Sequence, residues 1–152
     1  MTKSSEEWNL IGKAICSNRD WRWVVFWAYN IHKKIRSKFP NDVIWSELDS
    51  LVADEIRWHE GKELFERIRG VQLESKLSRS EKLYFQLGEI VSKSISNASW
   101  YPGLFDYHVA WRIPSISIEI SELIKDDELR DYLVHHFQSL SSNRNSDKPY
   151  KN

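Results

Sequence analysis

The chain is 152 residues long, with 29% charged and 41% apolar side chains, which suits one globular domain with a real core and excludes a disordered chain. Its 22 basic and 22 acidic side chains cancel, so no global field draws it to nucleic acid or to an anionic membrane. Cys16 is the only cysteine, which excludes an intramolecular disulfide and points to a reducing, cytoplasmic setting. The opening MTKSSEEWNL lacks the basic-then-apolar pattern of a secretory signal. The apolar run WVVFWAY is seven residues, far short of the roughly 20 that span a bilayer, so a membrane role is not expected.

In chain order, Ser4 and Glu7 have the spacing of a capping box, and Trp8, Ile11 and Ile15 then share a helical face. A second helix is expected to run to about Phe39, with Trp23, Trp27, Ile31 and Ile35 at i+4 spacing. Trp21, Val25, Phe26 and Tyr29 fill its other sides. A helix apolar all round belongs at the centre of a core, so the stretch RDWRWVVFWAYN, with three tryptophans, reads as core. Its second half, IHKKIRSKF, carries four positive charges and must reach solvent.

Pro40 breaks the chain, and Asn41 or Asp42 caps a third helix. Ile44, Trp45, Leu48, Leu51, Val52 and Ile56 fall in one arc at roughly 100° per residue. Gly61 bends or ends that helix, and Leu64, Phe65 and Ile68 resume the pattern. Ser78 and Glu81 form a second capping box before the stripe Leu83, Leu87, Ile90, Val91 and Ile95, from which Phe85 points away. The segment SWYPGLFDYHVAWRIP has a Pro-Gly turn signal and then alternates apolar and polar residues, the pattern of an extended segment or a long packed loop. Ile116, Ile120, Leu123 and Ile124 favour a helix, and DDELRDYLVHHFQSL is a last one. The expected fold is all-α or nearly so: a compact bundle of about five to seven helices with one aromatic extended loop or strand around residues 100–114. A single helical domain over residues 1–140 is followed by a polar, flexible tail over 141–152.

Chemistry-bearing motifs are sparse. The sequence has no glycine-rich phosphate loop, no GxSxG, no HExxH and no Cys/His cluster with zinc spacing, so no cofactor or metal site is expected. Glu55 and His59 stand four apart near the middle of the third helix's arc, a spacing that serves a metal, a proton relay or a satisfied buried pair. The adjacent His135 and His136 point in different directions and make a poor chelate.

The segment RDYLVHHF, Arg130 to Phe137, resembles the Arg-x4-6-His signature of HEPN-type ribonucleases, with Asp131 at the polar position after the arginine. That resemblance, confined to these eight residues, implies metal-independent RNA cleavage at a site shared across a dimer. His135 would do general acid or base work on the 2′-hydroxyl, and Arg130 would stabilise the crowded phosphate.

A different class of function follows from composition. Eight tryptophans and six tyrosines are residue types that dominate protein interfaces. Charge is also segregated: Asp42 to Glu66 holds eight acidic residues against Arg57 and Lys62, and Glu119 to Asp131 holds six against Lys125 and Arg130. An acidic face bearing an aromatic suits a protein that covers a basic active site. The expectation is therefore a protein–protein binding module without catalysis, an immunity- or antitoxin-type inhibitor of a basic toxin domain. Its face is expected to carry Glu47, Asp49, Asp54 and Glu60, with Trp58 at the edge of the buried arc as anchor. A helical subunit of a larger assembly draws on the same features.

Overall fold

The computed structural model describes residues 3–17, 19–100 and 108–142. Among them the chain is nearly all helical, with no strand. In order the helices are α1 (Ser5–Cys16), α2 (Trp21–Arg36), α3 (Val43–Ala53), a 3-10 helix (Glu55–Glu60), α4 (Gly61–Glu74), α5 (Arg79–Trp100), the short α6 (His108–Trp111), α7 (Ile113–Leu123) and α8 (Asp127–Ser142).

Side-chain caps set most of the starts. Ser4 and Glu7 form the predicted box, the Ser4 N–H donating to Glu7 Oε1 at 2.9 Å and the Glu7 N–H to Ser4 Oγ at 3.2 Å. Asp20 accepts the Trp23 N–H at 2.8 Å at the head of α2, and Asp42 accepts the Ile44 N–H at 2.9 Å at the head of α3. Ser78 and Glu81 repeat the reciprocal arrangement before α5.

The central element is α5, which packs against α2, α4, α6, α7 and the 3-10 helix. Its stripe Leu83, Leu87, Ile90, Val91 and Ile95 is buried throughout. Helix α2 is a core helix: Trp21, Trp23, Val24, Val25, Trp27, Ala28, Ile31 and Ile35 are all buried, as expected of a helix apolar on every side. Its cationic second half emerges, with Lys33 and Lys34 exposed.

Three expectations need correction. Phe85 does not point away from the core; it is buried, with its ring 5.0 Å from that of Trp45, which reaches from α3 over a second side of α5. The stretch expected to be extended is helical where it is described: α6 covers His108–Trp111, and Pro114 stands in the first turn of α7. Proline's fixed φ and missing N–H suit that turn, so the alternating pattern was overridden. Residues 101–107 of the stretch lie outside the described residues. The expected tail begins too early, since Ser141 and Ser142 complete α8, and residues 143–152 lie outside the described residues.

Helix α1 lies so close to α6 that a Cβ on Gly12 would stand 2.2 Å from the Trp111 carbonyl oxygen. The obstacle is backbone, so no rotamer relieves it. Gly12→Ala should therefore cost about 1–3 kcal/mol through overpacking, despite alanine's better helix propensity. Urea denaturation checks this, and an unchanged midpoint would mean that α6 is not held against α1.

Candidate functional site

The residues expected to form one acidic face are split by α3. Glu47 accepts from Arg67 of α4 at 2.8 Å. Asp49 turns to the opposite flank, where it accepts from the Arg36 guanidinium at 2.9 Å and from the Tyr29 hydroxyl at 2.8 Å. Burial works to raise the Asp49 carboxyl, but these two hydrogen bonds outweigh it and hold it below the usual range. Glu60 is held low chiefly by its hydrogen bond from Arg57. Asp54 stands between α3 and the 3-10 helix and, among the described residues, makes no ion pair.

The reversal at the 3-10 helix matters most. Trp58 is not at an edge: it is 4% exposed, its indole N–H donates to the Leu51 carbonyl at 3.0 Å, and its ring lies 5.8 Å from Phe26. Ile56, placed in the buried arc by the helical period, is 89% exposed. The cause is local. Asp54 leaves the helical region at φ −126°, ψ 87°, and the chain restarts with three residues per turn. Glu55 and Trp58 then share the side toward α2, where Glu55 pairs with Arg22 at 2.8 Å. Ile56 and His59 share a side facing solvent. Glu55 and His59 are thus not a pair; one ring nitrogen of His59 lies 3.1 Å from the Ile56 carbonyl instead.

Arg130, Asp131 and His135 all lie on α8 but do not converge within one protomer. Arg130 reaches back to Glu122, Nε to Oε2 at 3.2 Å, and Asp131 is exposed. Five residues along a helix rotate the side chain by about 140°, and His135 lines a different hollow, of about 320 Å³, with Trp23, Trp27, Tyr132 and His136. There the Trp27 indole N–H donates to His136 Nε2 at 3.3 Å. Beyond Tyr132, whose ring carries the Lys34 ammonium at 4.3 Å, Lys38 and Asp126 pair at 2.8 Å across the gap between α2 and α8. Among the described residues, no three His, Cys, Asp or Glu side chains gather closely enough to share a metal ion.

A further group escaped the sequence reading. Glu89 of α5 is buried, with Arg69 of α4 beside it at 3.3 Å, and both line a cleft of about 340 Å³ between those helices. These residues come from separate helices with no short-range motif, so only the fold assembles them. Comparison with protein-family models, with curated proteins and with solved structures finds no match to this chain.

Proposed function

We propose that this chain acts by holding a partner protein, as an inhibitor of the immunity or antitoxin type, and that the contact centres on the 3-10 helix Glu55–Glu60. The observation that carries the reading is Ile56: a large apolar side chain 89% exposed, close in the chain to Asp54, which makes no ion pair among the described residues, and to Glu60, which pairs with Arg57. An exposed apolar tip beside the unpaired Asp54 carboxylate fits a partner with an apolar socket flanked by a cation. Rim charges raise the association rate and make it salt-sensitive, whereas the seated apolar group governs dissociation. Trp58 acts from behind, its buried ring fixing the turn that presents Ile56.

Affinity capture from the native host with wild-type protein and with Ile56→Arg tests the placement. A protein retained by the first and lost by the second supports it. Binding of that protein at two salt concentrations should then show Ile56→Ala accelerating dissociation, at a cost of about 1–2 kcal/mol. Asp54→Lys should slow association at low salt. Equal retention by both proteins would move the interface elsewhere. The inhibitor class stands on a second readout: co-expression should relieve the captured protein's toxicity to growing cells, and a captured protein without toxicity would make this chain a subunit of an assembly instead.

A further inference from the structure

The cleft between α4 and α5, closed on one side by Val109 and Arg112, holds two kinds of polar group. One kind accepts hydrogen bonds. The Glu89 side chain is only 9% exposed, and Arg69 approaches it no nearer than 3.3 Å. Burial pushes its carboxyl upward, only partly offset by Arg69 and Arg112. Gln72 Oε1 is buried in the same wall and accepts no hydrogen bond; such an acceptor is costly to leave unmet. The other kind is cationic. Lys93 and Arg112 line the cleft and, among the described residues, have no ion pair. The Lys93 ammonium rests 5.5 Å from the Phe65 ring, which Arg69 also covers at 4.8 Å.

These groups select a ligand by charge. An anion alone would satisfy the cations but leave Gln72 Oε1 without a donor and Glu89 with only its 3.3 Å contact from Arg69. An amine alone would answer the acceptors while facing three cations. A molecule with both ends answers both. Glu89 and Lys93 stand one turn apart on α5, with Cβ atoms about 6 Å apart, a span that the two ends of a zwitterion bridge. We propose that the cleft binds a free apolar α-amino acid, its ammonium on Glu89 and Gln72 Oε1, its carboxylate on Lys93 and Arg112, and its side chain against Phe65 and Ile90. This site is separate from the 3-10 helix and does not depend on the partner reading.

The test is an NMR titration of the isotope-labelled chain with L-phenylalanine, N-acetyl-L-phenylalanine and phenethylamine, the last two lacking the ammonium and the carboxylate respectively. L-phenylalanine should give saturable shifts at the amides of Arg69, Gln72, Glu89 and Lys93. Both truncated probes should bind at least about tenfold more weakly. Lys93→Ala, an exposed position where folding is not at stake, and Gln72→Leu should each weaken L-phenylalanine by about tenfold. Absence of saturable shifts at the cleft would overturn the proposal. Equal binding of the acetylated probe, or an unaffected Lys93→Ala, would overturn it as well, because either removes the two-ended recognition.

Discussion

Trp27→Ala should lower the stability of the fold by about 3–5 kcal/mol. The ring is 2% exposed, stacks on Trp23 at 5.6 Å and meets the edge of Phe137 at 6.0 Å. Its removal leaves a cavity where α2 meets α8, and it leaves His136 Nε2 without the indole donor. Trp23→Ala, at 4% exposure, should fall in the same range of about 3–5 kcal/mol. Against a typical total of about 5–15 kcal/mol, either loss is large. Denaturant midpoints of the two variants check the expectation, and midpoints near wild type would mean that α2 is not the core helix described here.

The second large effect is a loss of stability in mild acid through His32. Burial, helped by the Arg36 guanidinium and opposed by Asp49, pushes the imidazole pKa down from 6.5 to about 3. Its ring is stacked on Tyr84 at 4.6 Å and lies tilted against Trp45 at 4.4 Å. Arg36 cannot accept a hydrogen bond, so the 3.4 Å contact to Nδ1 requires Nδ1 to be the acceptor and the ring to be neutral. The unfolded chain takes up a proton near pH 6.5 and the folded one does not. Stability is therefore complete above pH 6.5 and is lost as the pH falls toward 3, at about 1.4 kcal/mol per pH unit. By pH 4.5 the loss should reach about 2.5 kcal/mol. His32→Phe keeps an aromatic ring in the stack and should flatten most of the profile between pH 6.5 and 5.5, above the ordinary carboxylate range. A variant with the wild-type slope in that window would assign the acid sensitivity to another group.

The helical character and the core stripes were legible because they are local. Capping boxes at Ser4 and Ser78 and the i+4 spacing of α2 and α5 are short-range signals, and tertiary packing only reinforces them. Phe85 was misplaced because a periodicity plot finds one buried stripe, whereas a central helix is covered on more than one side. The helical period breaks at Asp54. A rotation of 100° per residue was carried through a residue that leaves the helical region, and the azimuths of the 3-10 helix from Glu55 to Glu60 came out wrong. That single break exchanged Ile56 and Trp58. The sequence contained a faint warning, since Asp54 is a poor residue to continue a helix between Ala53 and Glu55. The Glu89 cleft had no local signal at all: its lining runs from Phe65 to Arg112, brought together only where α4, α5 and the α6–α7 junction meet.

The central place of α5 also bears on how the chain is made. Helix α2 closes at Arg36, but the helix that covers it is not complete until Trp100. At a synthesis rate of about 5–20 residues per second, the tryptophan-rich α2 waits several seconds on the ribosome before its main partner emerges. During that interval its apolar surface is available to whatever binds nascent chains. Slowing translation between the emergence of α2 and that of α5 from the ribosome would lengthen this exposure.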